Sequence, residues 1–461
     1  MNSKFLKRAA SLALSGLMLT SLMAGCGGGS SNPEPTNAPA TQAPAASTDQ
    51  GQQAEKKRED FTGKLIIAHF NKDESEPLIQ TFKEAYPNVQ VELQVTADTN
   101  GAYQTLITTA LRSGQDVPDV FAAESAFVKR FVNLPDAYED LSKFMSVDEL
   151  KSKLVPYTVE IGTDDNGVVR ALSHQATAAA VGYKREMAKK YFGTDDPEKI
   201  GELFSSAEKI VETGEKLVQE SGGKAKLFPG MAELMRMYLG AREKGWVVDG
   251  KLTIDDKVKE FVKIAKQLRD AGAEGGMEAW TPQWSAAVED DIHFAYAIPT
   301  WGIPWIIDVN QSEANKGKGN WGLAKAPAPY TWGGTWFGMY SKSPNKELAW
   351  EFIKFITLDE EQSVSWAKKS GDFISNRAAI EKLSTDPEMI SKTINQNPYE
   401  FFGPMITGIN GRIITQYDDQ ITNAFQDAML SYLAGNTNED QMWAQFKDQV
   451  RSDLGDQITV E

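Results

Sequence analysis

The chain has 461 residues with a formal charge of −16, 10% aromatic residues and a single cysteine. So acidic a surface repels phosphates and anionic lipid, which argues against a nucleic-acid partner, and one cysteine allows no disulfide within the chain. Such a length exceeds what one core organises well and predicts two lobes after any targeting segment is set aside.

Residues 1–25 carry Lys4, Lys7 and Arg8 ahead of an apolar stretch, Ala9 to Ala24, that is too short for a stable membrane span; they read as an export signal. The stretch ends at Leu22-Met23-Ala24-Gly25-Cys26, which resembles a bacterial lipoprotein box and marks Cys26 as the residue to be lipidated. From Gly27 to Asp60 there is no aromatic, Val, Ile, Leu or Met residue, so residues 26–60 are expected to form a lipidated, disordered tether with a reach of about 30 Å. The chain is thus expected to stand outside the cytoplasm, held to the outer face of the membrane through Cys26. Without the three leader cations and with no acid in residues 1–25, the mature charge is −16 − 3 = −19.

The globular part opens with an apolar run, Lys64 to Phe70, then Asn71 to Glu76 and an amphipathic helix from Pro77 to Tyr86. An alternating strand, Val89 to Val95, a helix, Tyr103 to Arg112, and a strand, Pro118 to Glu124, complete a β-α-β-α-β unit. Ligands of open α/β sheets bind beyond the carboxyl ends of the strands, which points to Asn71, Glu74 and Glu124. Ser146-x-x-Glu149 and Ser205-x-x-Glu208 are capping boxes, and Asp255 to Ala271 is a helix burying Val258, Phe261, Val262, Ile264, Ala265 and Leu268. Val168 to Tyr183 has a small-residue centre suited to a passage between lobes; Asn320 to Pro329 and Gly371 to Asn376 are candidate second and third passages. Helical spacing returns in 345–357, 359–370, 418–434 and 439–454.

One segment is more specific. Gly333-Gly334-Thr-Trp-Phe-Gly-Met-Tyr-Ser-Lys-Ser-Pro-Asn-Lys-Glu-Leu-Ala-Trp-Glu-Phe-Ile-Lys-Phe-Ile-Thr357 gives a glycine pair, a strand, a polar turn and a helix with Ala-x-x-Phe-Ile-x-Phe spacing. It resembles the extracellular solute-binding proteins of carbohydrate ABC importers, the group that includes maltose-binding protein. Pro118-Asp119-Val-Phe, the passage from Ala171 to Tyr183 and Gly371 to Arg377 are similar to further pieces of that pattern in the same order, although Gly182-Tyr183-Lys184-Arg185 stands where the family often has Tyr-Asn-Lys. The resemblance implies a two-lobed α/β binding-protein fold, with lobe 1 as 61–175 plus 326–371 and lobe 2 as 176–325 plus 372–461. It also implies closure on a ligand, delivery to the membrane subunits of an ABC permease, a monomer, and neither enzymatic activity nor a cofactor.

Seven of the eleven tryptophans lie between Trp280 and Trp336. A pyranose presents an apolar C–H face to an aromatic plane and directional hydroxyls around it, so this density fits a mono- or oligosaccharide ligand. Trp301, Trp305 and Trp336 are the first candidates for stacking, Trp284 and Trp280 the next; Trp321 and Trp332 read as packing residues. Asn71, Glu74, Glu124, Gln175 and Asp372 are the polar candidates, each alternatively a solvated acid or helix cap. Asp119 has a structural alternative at its turn, Arg377 is a possible partner of Asp372, and His174 either meets a hydroxyl or sits satisfied in a core.

Gly317-x-Gly319-x-x-Gly322 follows no strand and precedes no helix, so it is a loop; Asp164 to Gly167 lacks the spacing of a calcium loop; and three scattered histidines give no zinc pattern, so no metal is expected. Two rival readings remain from the residues alone: an anchored glycoside hydrolase, which also places tryptophans around paired acids, and a receptor for a peptide or polyamine.

Overall fold

A computed structural model describes residues 56–461, which form one compact unit. The export signal, Cys26 and most of the tether lie outside the described residues. Its last residues do not follow the expectation of an unattached tether. The Arg58 guanidinium pairs with Asp359 and lies over the rings of Tyr86 and Phe355, and Lys56 pairs with Glu347.

Among the described residues there are eleven strands: β1 Gly63–His69, β2 Val89–Val95, β3 Val120–Glu124, β4 Leu172–Ser173, β5 Ala178–Lys184, β6 Val247–Val248, β7 Lys251–Leu252, β8 Ala295–Pro299, β9 Trp321–Ala324, β10 Tyr330–Thr331 and β11 Thr335–Met339. The first lobe is built on a sheet of order β2-β1-β3-β11-β4, in which β1 runs parallel to β2 and β3 while β11 runs antiparallel to β3 and β4. The second is built on β5, flanked on one edge by β8 and on the other by β9 and β10 in succession, all antiparallel. Helices cover both sheets, and the architecture is the two-lobed α/β fold.

The opening β-α-β-α-β unit stands as expected, with one shift. The first helix runs Lys72–Ala85, because the Asn71 side chain accepts from the backbone N–H of Asp73 and Glu74 and so starts it a turn and a half before Pro77. Pro77 sits inside, at the loss of one helical hydrogen bond. The helix Asp256–Asp270 buries all six predicted apolar residues, with Asp255 as its cap. In the second capping box the serine in use is Ser206, which accepts from Lys209 N–H, and not Ser205.

The lobes meet at a waist. Residues 174–177 carry the chain from β4 into β5, and residues 332–334 return it from β10 to β11. These two passages run side by side: Thr177 Oγ1 donates to the Gly333 carbonyl at 2.7 Å, and Trp332 N–H to the Thr177 carbonyl at 3.0 Å. The return therefore comes later than the expected 320–329, because β9 and β10 both remain hydrogen-bonded to β5. The segment from Gly371 is not a passage either. It lies beside the first one, with Ala176 N–H donating to the Phe373 carbonyl at 2.8 Å and Ser375 N–H to the His174 carbonyl at 2.9 Å. Beyond it the chain touches both lobes: the helix Arg377–Ser384 packs on Val147–Lys153 of the first, while Gln396 binds the backbone of Leu323 on β9 of the second. Only the final helices, Asp418–Leu433 and Glu439–Leu454, lie wholly in the second core. A boundary at 371/372 is thus replaced by a stretch shared between lobes.

Candidate functional site

A cleft of about 540 Å³ opens at the waist, lined by residues of both lobes. One wall comes from the second lobe. Trp280 is 55% exposed and Trp305 50% exposed, and both line the cleft with Trp301. The Trp280 and Trp301 rings lie 6.1 Å apart at 13°, and Trp301 is fixed by its Nε1–H, which donates to the Trp332 carbonyl at 2.8 Å. Trp280 adopts φ +67°, a left-handed conformation that a bulky aromatic rarely takes and that turns the chain into the Thr281 cap of the next short helix. Trp301 and Trp305 sit on one side of the turn that follows β8, with Trp305 N–H donating to the Trp301 carbonyl at 3.2 Å.

The glycine pair makes this wall approachable. Gly333 has φ +83° and passes so close to Trp301 that a Cβ there would lie 2.8 Å from the indole nitrogen. On the far side of Gly333 a second cavity of about 290 Å³ contains Arg236, whose guanidinium lies 3.8 Å from the centroid of the Trp332 ring.

The opposing floor is polar and comes from separate segments. Asn71 lines it while capping its helix, so the cap reading and the cleft position both apply. Glu124, at the end of β3, accepts from Ser125 Oγ–H at 2.6 Å and Ala126 N–H at 2.8 Å. Asp372 accepts from Gln175 Nε2–H at 3.2 Å and from Trp366 Nε1–H at 2.8 Å. Glu74 lines the same floor, and its Oε1 is buried without a hydrogen-bond partner. Burial pushes the Glu74 carboxyl up to about 8, with the neighbouring Asp372 adding to the rise and the Thr335 hydroxyl partly offsetting it. Burial likewise raises Asp372 and Glu124.

Eight of the ten predicted ligand-binding residues line this cleft. Trp284 and Trp336 do not: contrary to expectation, both are core residues. Trp336 is 1% exposed and its Nε1–H donates to the Thr158 carbonyl at 2.7 Å, since strand alternation turns it away from the cleft that Thr335 faces. Trp284 is fully buried, its Nε1–H on Glu233 at 2.8 Å. Trp321 packs in the core as read, and Trp332 is half-buried between Trp280 and Trp301. Asp119 is structural: it accepts from Ile66 N–H, Ser343 and Asn345. Arg377 does not reach Asp372 but donates to the Ser152 carbonyl at the surface. His174 lies behind the floor, 1% exposed, and burial lowers its imidazole to about 3.

Sequence reasoning missed Trp366, Thr335, Lys369 and Ser370, which also line the cleft. Thr335 lay inside the glycine-pair segment, where its alternation with Trp336 was the available signal. Trp366 carried none, because its helical position reads as core and only the turn at Gly371 brings Asp372 back onto its indole.

Among the described residues no group of three or more His, Cys, Asp or Glu side chains could hold a metal ion, and no helix is long and apolar enough to cross a membrane.

Solved structures with this fold include an extracellular solute-binding protein of family 1, 20% identical, with TM-score 0.73 over 84% of this chain and 99% of its own. The galacto-N-biose/lacto-N-biose I-binding protein of the ABC transporter from Bifidobacterium longum, in complex with lacto-N-biose, is 14% identical, with TM-score 0.68 over 87% and 99%. The sugar-binding protein MalE from Xanthomonas citri is 13% identical, with TM-score 0.69 over 86% and 97%. Identities this low establish the fold. Residues 77–396 match the family model described as bacterial extracellular solute-binding protein. The chain therefore belongs to the bacterial extracellular solute-binding protein family.

Proposed function

We propose that this chain is the carbohydrate-binding component of an ABC importer, capturing a mono- or oligosaccharide between its lobes and passing it to the permease without altering it. The observation that supports this reading is the composition of the cleft: exposed tryptophan faces on one wall, carboxylates and two amides on the other. That pairing matches a sugar ring, whose C–H face stacks while its hydroxyls bond in the ring plane. Solved proteins of the same fold are described as binding lacto-N-biose, acarbose and β-1,6-galactobiose. In this reading Trp280, Trp301 and Trp305 stack, and Asn71, Glu74, Glu124, Gln175 and Asp372 hold hydroxyls. Two lobes joined by neighbouring passages close by rotation at the waist. Cys26 carries the lipid that keeps the receptor at the outer membrane face, and the chain acts as a monomer.

The test is a thermal-shift screen of the chain from Gly27 onward against mono- and oligosaccharides, amino acids, peptides and polyamines, with the ligand recovered and analysed. A ligand that binds only the native state raises the melting temperature. A saturable shift with a sugar recovered intact supports the reading. Cleavage of that sugar would instead favour the hydrolase, the reading that the neighbouring, high-pKa Glu74 and Asp372 keep open. A shift with non-sugars alone would overturn the sugar assignment.

A further inference from the structure

The floor of the cleft is rich in carboxyl groups and poor in cations. Asp73, Glu74, Glu124 and Asp372 line the cavity, and the one basic side chain that lines it, Lys369, is exposed. Behind the floor stands His174, 1% exposed, with neither ring nitrogen hydrogen-bonded. Its Nε2 points at the acid pair, 3.6 Å from Glu74 Oε1 and 3.9 Å from Asp372 Oδ2. Burial opposes an imidazolium there, so the nearest base supplies no positive charge.

The hydrogen bonds already made leave acceptors free. Each Asp372 oxygen takes one N–H, from Gln175 and Trp366; an ionised carboxylate has about four acceptor positions, so each oxygen keeps one in reserve. A neutral sugar would fill these sites with hydroxyls and leave the buried acids drawn toward their protonated form. An ammonium group offers three donors together with a positive charge that favours the ionised carboxylates, and it is attracted by the faces of Trp280, Trp301 and Trp305 in the same cavity. The chain's charge of −16 also favours approach of a cation.

We propose that the ligand is an amino sugar, whose protonated amine is held between Glu74 and Asp372 while its ring stacks on the tryptophan wall. This rests on the sugar reading above and narrows it to a substrate class.

Calorimetry on the same chain tests it, with glucosamine, galactosamine, mannosamine and β-1,4-linked glucosamine oligomers set against their N-acetylated forms and the parent neutral sugars. Acetylation removes the charge and keeps the ring. The free amines are expected to bind at least about tenfold more tightly than the acetylated and neutral counterparts, the size of one charge-assisted hydrogen bond. Glu74→Gln and Asp372→Asn should each abolish most of that preference, while melting of the unliganded variants reports that they are folded. If neutral or acetylated sugars bind as well as the amines, the amino-sugar assignment is overturned and the sugar reading survives. If spermidine binds and no sugar does, both fall.

Discussion

The two sides of the cleft are made in different ways. The aromatic wall comes from one stretch of the second lobe, Trp280 to Trp305, and its rings support one another: Trp280 stacks over Trp301, and Trp332 meets both edge-on. The polar floor comes from the first helix, the end of β3, the waist and the turn after residue 370. A wall of mutually packed rings is rigid before ligand arrives. A floor drawn from distant segments is correct only when the lobe is folded, and it holds acids whose charge burial disfavours. The difference predicts that substitutions on the wall act on binding, whereas those in and behind the floor act on folding as well.

The largest expected effect separates a tryptophan of the wall from one of the core. Trp336→Ala removes a buried indole and its bond to the Thr158 carbonyl, which should cost about 3–5 kcal/mol of stability. Urea denaturation with and without ligand measures it. The comparison breaks if Trp336→Ala leaves stability within about 0.5 kcal/mol while abolishing binding, because the residue would then belong to the cleft.

The floor makes a pH-dependent prediction of intermediate size. Glu74 titrates near 8 in the folded chain, against about 4.3 when unfolded, so between these values the native state holds more protons than the unfolded one. Stability then falls as pH rises through that window, by an amount on the order of a few kcal/mol from this group. Glu74→Gln keeps the shape without the titration. It should match the parent chain near pH 5 and exceed it near pH 8.5 in denaturant unfolding. Parallel stability profiles for the two chains would show that Glu74 is not the desolvated acid of the floor.

The same contrast explains what could be read from the sequence. The first β-α-β-α-β unit follows from hydrophobic period and caps, both local properties. The wall was legible because tryptophan density is visible without knowing the fold. Which tryptophans face the ligand was not, since for Trp336 it depends on one step of strand parity and for Trp284 on Glu233, 51 residues away and buried beneath it. The carboxylates at strand ends were placed by the rule for open sheets. Trp366 was invisible because its partner, Asp372, returns to it only through the turn at Gly371. The passages at the waist were displaced for a similar reason: composition marks a chain that can cross between lobes, but hydrogen bonding to β5 decides where it leaves.

The smallest expected effect on folding is the cleanest test of the wall. Trp305 is half-exposed and makes no side-chain hydrogen bond among the described residues, so Trp305→Ala should change stability by less than about 0.5 kcal/mol. If its ring stacks on the ligand, binding should weaken by about 1–2 kcal/mol, roughly tenfold, because a stacked aromatic contact is lost and no polar group is stranded. Calorimetry on the sugar identified by the screen reads both the affinity and the expected loss of favourable enthalpy. The same substitution should weaken neutral and amine-bearing sugars by similar factors, since stacking acts on the ring, whereas Glu74→Gln should discriminate between them. Unchanged affinity in Trp305→Ala would confine the aromatic side of the site to Trp280 and Trp301, and would make the exposed face of Trp305 a feature of the lobe's outer surface.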